Sequence, residues 1–228
     1  MSAPMRHATR WWWVRHAPVP GGGRIYGQRD LDCDCTDREV FRILAHQLPE
    51  NAVWLTSNLA RTRQTAAAIV AAAGDRFAGI PHIPVADLAE QHLGGWQGLE
   101  RSSFYAARGV GTRSLWFAPA DERPPGGESF ADLIARVAPA VRRLTQEHRG
   151  RDIVSVSHGG TIRAGLTLAL GLAPQSGLAF TVENCSLTRI DYLVDVTGAA
   201  LWRVGCVNHR PWSRTPTSSL RSVNANPG

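Results

Sequence analysis

Short apolar runs alternate with stretches of helical periodicity along most of the chain. The first run contains three tryptophans and a valine, which is typical of a strand buried on both faces of a parallel sheet. Strands are predicted at residues 10–14, 52–56, 83–85, 152–157, 187–194 and 200–204. Helices are predicted at residues 38–48, 62–73, 99–117, 130–144 and 161–170. This alternation favours an α/β fold, a three-layer α/β/α sandwich with a mostly parallel central sheet.

Local signals predict where several of these helices begin and end. Gly74 stops the second helix, because glycine takes the left-handed conformation after a helix end most easily. Ser129, followed three residues later by Asp132, predicts an N-terminal cap for the helix from residue 130. Pro139 predicts that this helix is kinked or split. Gly109 interrupts the helix predicted at residues 99–117, as does Gly111.

Composition indicates one globular domain. With 228 residues, 43% hydrophobic and 19% charged, the chain has enough apolar surface for a core and is unlike disordered or repeat sequences. We predict a single catalytic domain over residues 1–212 and a disordered tail, rich in Ser, Thr, Pro and Asn, over residues 213–228. No run approaches the 18 apolar residues of a membrane span, and the N-terminal apolar stretch is too short for a signal peptide. A cytoplasmic location is therefore expected.

The charge balance indicates an anionic partner without naming it. The net charge is +6 and the sequence pI is about 9.9. Nucleic acid, anionic lipid and phosphorylated metabolites are all compatible with that balance. No run of five or more Lys/Arg occurs, which disfavours a nucleic-acid tail or a polybasic membrane anchor. A small phosphorylated substrate is the expected partner, and the sequence leaves the oligomeric state open, a homodimer included.

The four cysteines are expected to be reduced, since no export signal precedes them. Cys33 and Cys35 form a C-x-C pair, but no second pair or histidine stands at the spacing of a zinc site. No metal or cofactor is predicted.

Polar residues that could carry chemistry follow three of the predicted strands. They are Arg15 and His16 after the first, Ser57, Asn58 and Arg61 after the second, and His158 and Gly159 after the fourth. Ligands of open α/β sheets bind at the carboxyl ends of the strands, so these residues should share one edge. Arginine forks and the amides at the start of the following helix match phosphate oxygens. The sequence therefore predicts a phosphate site.

Catalysis needs a nucleophile and a proton donor beside these cations. A neutral His16 can attack phosphorus, and neighbouring cations disfavour its protonation. Glu90 stands on a Gly-rich loop that could cover the site, where a carboxyl group can donate a proton.

Five segments, in this order, resemble signature segments of the histidine phosphatase (phosphoglycerate mutase-like) superfamily. They are Arg15-His16-Ala17, residues 57–66, Glu90 with residues 94–98, Gly127-Glu128-Ser129 and residues 157–160. The resemblance spans about residues 10–210 and implies a metal-independent phosphatase in which His16 becomes a phosphohistidine. Arg15, Arg61 and His158 would hold the phosphoryl oxygens, with Gly159 beside them. Glu90 would protonate the leaving alcohol and then deprotonate the attacking water.

Some residues depart from the family pattern. Ala17 replaces the usual glycine, and Gly22 stands where a side-chain amide is common. Gln91 and Leu93 stand where mutases have an Arg and an aromatic hydroxyl, and Gly160 where they tend to have Asn. These losses remove handles for the carboxylate of a phosphoglycerate, which favours water as the phosphoryl acceptor.

Several alternatives stay open. His16 and His158 could be core histidines, Glu90 a solvated loop carboxylate, and the Glu128-Ser129 pair a helix cap rather than a catalytic pair. Arg63, two residues after Arg61 on the helix, should point elsewhere.

The predicted function is hydrolysis of small phosphorylated metabolites. Candidate substrates are α-ribazole 5′-phosphate, sugar phosphates and nucleotide-like monoesters, with residues 97–122 shaping specificity. The alternatives are a phosphoglycerate mutase and a catalytically silent module that binds a phosphate ligand or nucleic acid.

Overall fold

A six-stranded mixed sheet forms the centre of the fold. The computed structural model describes residues 5–21, 23–109 and 117–212. The strands are β1 (Met5–Arg15), β2 (Ala52–Thr56), β3 (His82–Pro84), β4 (Asp152–Ser157), β5 (Leu187–Asp195) and β6 (Ala200–His209). Their order is β3-β2-β4-β1-β5-β6, and the first four run parallel while β5 and β6 are antiparallel. The predicted, mostly parallel sheet is confirmed.

Helices cover both faces of this sheet. They are α1 (Arg38–Gln47), α2 (Ala60–Ala72), α3 (Arg101–Ala107), α4 (Phe130–Glu147), α5 (Gly159–Leu170) and α6 (Pro174–Gly177). Because side chains alternate along a strand, β1 sends Trp11 and Trp13 into the core under α4 and α5. Val14 points to the opposite core, which α1 and α2 cover. The three layers predicted from the sequence are therefore present.

Of the two outcomes predicted for Pro139, a kink or a split of its helix, the split does not occur. Helix α4 runs unbroken from Phe130 to Glu147. Both Pro139 and Ala135, whose carbonyl loses its helical donor, are exposed. Water can replace the missing bond on that face, so the helix continues. Ser129 caps α4 as predicted: its side chain accepts from the Asp132 amide, and the Asp132 side chain accepts from the Ser129 amide.

The helix predicted at residues 99–117 is much shorter than expected. Helix α3 covers only seven residues and stops before Gly109, whose φ of 63° is left-handed. Residues 110–116 lie outside the described residues, as do Gly22 and the predicted tail at 213–228.

Candidate active site

Three parallel strands bring the predicted residues to one edge of the sheet. The register pairs Arg15 with Ser157 across β1 and β4, and Thr56 with Val156 across β2 and β4. The ends of the three strands therefore lie within one residue of the same level. The backbone N–H of His16 donates to the Ser157 carbonyl at 2.9 Å, which places it beside His158.

The His16 ring is fully buried and has a defined tautomer. Its Nδ1 lies 2.7 Å from the Ala17 carbonyl oxygen. A carbonyl can only accept, so Nδ1 carries the hydrogen and the lone pair of the neutral ring is on Nε2. Burial and the charges of Arg61 and Arg15 hold the pKa of His16 well below its usual value. Nε2 has no hydrogen-bond partner within the described part of the chain.

Arg61 is a buried arginine whose guanidinium is fixed at both ends of its fork. It is fully buried, and its two terminal nitrogens donate to the carbonyls of Gly27 at 2.7 Å and Arg29 at 2.9 Å. The Tyr26 ring centroid lies 5.2 Å from the guanidinium carbon. Burial lowers the pKa of Arg61, which nevertheless stays a cation because arginine starts so high.

Arg15 is anchored at one end and lines an open cavity. Its Nη1 donates to the Val182 carbonyl at 2.5 Å. Its Nε is buried and finds no acceptor among the described residues. The guanidinium is thus held in place with a donor still available to an anion.

His158 packs against His16, with ring centroids 5.3 Å apart. The Ser57 hydroxyl lies 2.8 Å from Nε2 of His158. The pKa of His158 is held well below its usual value by burial, followed by the charges of Arg61 and Arg15. Two neutral imidazoles and two arginines therefore meet here, as the sequence predicted.

Glu90 reaches the start of helix α5. Its carboxylate accepts the Gly160 backbone N–H at 3.1 Å and the Gln91 N–H at 3.0 Å. A Cβ added to Gly160 would lie 2.3 Å from Glu90 Oε1, so only glycine leaves room for the carboxylate in this place.

A cavity of about 180 Å³ adjoins this site: Arg15, Glu90 and Gly159 line it, whereas the fully buried His16, Arg61 and His158 do not. At about 30 Å³ per water in the liquid, this volume corresponds to about six waters, the size of a small metabolite. The cavity is lined by Arg15, Ile25, Tyr26, Gly27, Glu90, Gln91, Leu93, Arg101, Tyr105, Phe117, Gly159 and Arg163.

Arg163 lines the cavity and is not predicted from the sequence. It is buried, and its Nε donates to the Phe180 carbonyl at 2.8 Å. A Cβ at Gly159 would lie 3.2 Å from Arg163 Nη1 and 3.6 Å from Arg15 Nε, so both guanidiniums flank that glycine. Burial lowers the pKa of Arg163 to about 10. Its spacing, one helical turn after Gly159, is the signal that could have found it.

The cavity is not lined by Ala17, Arg63, Glu128 or Ser129, which the sequence also singles out. Arg63 is exposed and donates to the Asn58 carbonyl, so it points away as expected. Ser129 caps helix α4. Glu128 forms an ion pair with Arg136 and does not line the cavity. Ala17 needs no left-handed backbone, since only two non-glycine residues in the described ranges have a positive φ and Ala17 is neither.

The places of the mutase handles hold uncharged groups. The Gln91 amide donates to the Glu128 carbonyl at 2.7 Å, and Leu93 is buried in the cavity wall. Across the described ranges, the structure has no cluster of three or more His, Cys, Asp or Glu side chains arranged to hold a metal. Among the described helices, none is long and apolar enough to cross a membrane.

Two histidines, two arginines and a carboxylate thus meet at the carboxyl edge of an α/β sheet, an arrangement typical of proteins that bind phosphoryl groups. The chain matches the histidine phosphatase superfamily (branch 1) over residues 5–204, and it belongs to that family.

Relatives in the family include both mutases and phosphatases. The chain is 28% identical over 203 residues to a probable phosphoglycerate mutase of Serratia proteamaculans, covering 86% of this chain and 92% of that one. It is 32% identical over 160 residues to a metal-independent phosphoserine phosphatase of Arabidopsis thaliana, covering 66% and 64%. The structure of a mycobacterial glucosyl-3-phosphoglycerate phosphatase superposes with a TM-score of 0.72 at 28% identity, covering 87% of this chain and 98% of that one.

Proposed function

We propose that the protein is a phosphomonoesterase that works through a phosphohistidine at His16 without a metal. The observation that carries the proposal is the tautomer of His16: its Nδ1 donates to the Ala17 carbonyl at 2.7 Å, so the lone pair is on Nε2. Since its pKa is held low by burial and by two arginines, the ring is neutral at physiological pH and can attack phosphorus.

The first step transfers the phosphoryl group to the protein. The Nε2 lone pair forms the P–N bond while the bond from phosphorus to the alcohol oxygen breaks, and Glu90 gives its proton to that oxygen. Arg15, Arg61 and His158 bind the phosphoryl oxygens, with Gly159 beside them. Their charge counts most where negative charge builds up in the transition state.

The second step returns the nucleophile. Glu90, now a carboxylate, takes a proton from a water molecule that attacks phosphorus, and the P–N bond breaks. Inorganic phosphate leaves and His16 is neutral again. The same carboxyl group therefore acts as acid and then as base.

Water is the preferred acceptor because the two positions of the mutase handles hold Gln91 and Leu93, and the further arginines of the cavity, Arg101 and Arg163, stand at other positions. Gln91 and Leu93 offer no charge to the carboxylate of a phosphoglycerate, and relatives include a phosphoserine phosphatase and a glucosyl-3-phosphoglycerate phosphatase. The cavity has the size of a small metabolite. The candidate substrates remain α-ribazole 5′-phosphate, sugar phosphates and nucleotide-like monoesters, together with phosphoserine and glucosyl-3-phosphoglycerate.

A phosphoglycerate mutase is the second candidate, because mutase relatives align over most of the chain. The two are separated by incubating the protein with 3-phosphoglycerate and measuring both inorganic phosphate and 2-phosphoglycerate. Isomerisation with negligible phosphate release would replace the hydrolase proposal by the mutase.

The test of the hydrolase is a phosphate-release screen over these monoesters with EDTA present, run with wild type and His16→Ala. We expect turnover of at least one ester by wild type, unchanged by EDTA and lost in the variant. Binding of phosphate esters without turnover would favour the silent binding module, and equal turnover by His16→Ala would refute catalysis through that residue.

A further inference from the structure

Arg136, in the middle of helix α4, reaches the backbone of the segment that carries Glu90. Its Nη1 donates to the Asp87 carbonyl at 2.8 Å and to the Ala89 carbonyl at 3.3 Å. Its Nη2 donates to the Glu90 carbonyl at 3.2 Å. One guanidinium therefore holds three carbonyls within four consecutive residues, although Arg136 itself does not line the cavity.

Glu128 ties the other side of the same segment. Its carboxylate accepts Arg136 Nε at 2.8 Å and Nη2 at 2.9 Å, a two-pronged pair. It also accepts the backbone N–H of His92 at 2.9 Å, and its own carbonyl accepts the Gln91 side-chain amide at 2.7 Å. Residues before and after Glu90 are thus joined through a single ion pair.

The pair is built to stay charged and ordered. Both side chains are only 22% exposed. Burial raises the pKa of Glu128, but hydrogen bonds from Arg136 and the His92 amide outweigh it and keep the pKa below its usual value. Two-pronged, charge-assisted pairs are geometrically specific, unlike exposed ion pairs between long flexible side chains.

We infer that the Arg136–Glu128 pair positions Glu90 for proton transfer. The pair fixes the backbone of residues 87–92, and this sets the Glu90 carboxylate against the Gly160 amide at 3.1 Å. Arg136 acts through Glu90 and is a positioning residue. The inference rests on the proposed function, in which Glu90 is the acid and base.

The dependence of kcat/KM on the leaving group distinguishes a positioning role of Arg136 from a general contribution to the stability of the fold. The alkoxide of an alkyl phosphate is a poor leaving group and needs the proton, whereas p-nitrophenolate leaves without it. The ratio kcat/KM reports steps up to release of the alcohol, so it isolates the acid step from the later hydrolysis. A merely structural defect lowers kcat/KM for both substrates alike.

The experiment measures kcat/KM of Arg136→Gln with glycerol 2-phosphate and with p-nitrophenyl phosphate. We expect a loss of about 30- to 100-fold for the alkyl ester and less than about 3-fold for the aryl ester, since misplacing a catalytic group by about 1 Å can cost about 100-fold. Arg136→Lys keeps the positive charge and an N–H donor group but loses the planar fork. It should recover part of the kcat/KM for the alkyl ester.

Arg189→Gln is the matched control. Arg189 forms a two-pronged pair with Asp191 on β5, at 2.9 and 3.1 Å, and does not line the cavity. Its loss should leave the alkyl-to-aryl ratio unchanged even if stability falls. Equal losses for both esters in Arg136→Gln, or no loss for either, would overturn the inference.

Hydrogen exchange supplies a readout that does not depend on turnover. Amides of residues 87–92 should exchange faster in Arg136→Gln than in Arg189→Gln, because the segment loses its anchors. Unchanged exchange there would overturn the positioning role even if the enzyme proved inactive. Conversely, wild type could lack phosphatase activity while Arg136→Gln still exchanges faster at residues 87–92 than Arg189→Gln. That result would count against the proposed function alone.

Discussion

The Glu90 carboxylate occupies the space where a side chain at Gly160 would begin. Oε1 accepts the Gly160 N–H at 3.1 Å, and a Cβ on Gly160 would lie 2.3 Å from that oxygen. The lack of a side chain at Gly160 therefore leaves the space that the carboxylate of the proposed acid occupies. In this chain the helix start holds the carboxylate, and any larger residue must move it.

We expect Gly160→Ala to lower kcat/KM for alkyl phosphates about tenfold or more, because the methyl group displaces the acid from its amide. Gly165→Ala on the same helix is the control, since its Cβ would meet ring and methyl atoms only at 3.5 Å or more. Steady-state kinetics with glycerol 2-phosphate measures both. Equal activity of the two variants would mean that Glu90 does not need this site.

Glu90→Gln should slow the reaction most for poor leaving groups. The amide keeps the shape but cannot give a proton, so kcat/KM for an alkyl phosphate should fall about 100-fold or more. For p-nitrophenyl phosphate, the first step should survive and show as a burst of p-nitrophenol before slow hydrolysis. An equal slowdown in kcat/KM for both esters would contradict the acid role.

Arg61→Lys should lower kcat/KM by about 100-fold, because lysine cannot bind two carbonyls and still present a planar donor to phosphate. The fork of Arg61 is held at 2.7 and 2.9 Å by Gly27 and Arg29. Arg63→Lys, two residues along and exposed, should change kcat/KM by less than about twofold. Comparable losses in both variants would show that helix α2, rather than the Arg61 fork, is what matters.

Acid should destabilise the fold through the buried histidines. The pKa values of His16 and His158 are held well below their usual value in the folded protein, so below about pH 6.5 the unfolded chain binds protons that the folded chain does not. The free energy of unfolding should therefore decrease as the pH is lowered, by about 1.4 kcal/mol per histidine from about pH 7.5 to about pH 5.5.

Urea unfolding at these two pH values tests that sign. His16→Gln should lose about 1.4 kcal/mol less than wild type over the interval. His46→Gln, on the exposed side of α1, should behave as wild type. A His16→Gln protein with the full wild-type pH dependence would mean that His16 is charged in the folded state.

The sheet edge could be predicted because it follows from local patterns. Apolar runs end at Arg15 and Ser157, and a parallel sheet brings the ends of such runs together. His16, Arg61 and His158 could then be placed near one another without any knowledge of side-chain contacts. Glu90 could be proposed as a proton donor from its Gly-rich loop, but nothing in that loop alone assigns it to this edge, and the family resemblance supported the assignment.

Contacts between distant segments could not be predicted. Arg136 is recognisable only once α4 lies against residues 87–90, because the contacts join residues about 47 apart in sequence. The local rule for Pro139 allows a kink or a split, and which one occurs depends on the surroundings: the split is avoided because this face of α4 is exposed. Arg163 had a usable spacing, but its spacing alone does not distinguish a cavity residue from a core contact.

Trapping the phosphoenzyme tests the central claim most directly. Wild type, mixed with an excess of a substrate ester and quenched rapidly in alkali, which preserves phosphohistidine, should gain the mass of one phosphoryl group on the peptide that contains His16. His16→Ala should gain none. A labelled residue other than His16, or turnover without any phosphorylated protein in wild type, would contradict the account.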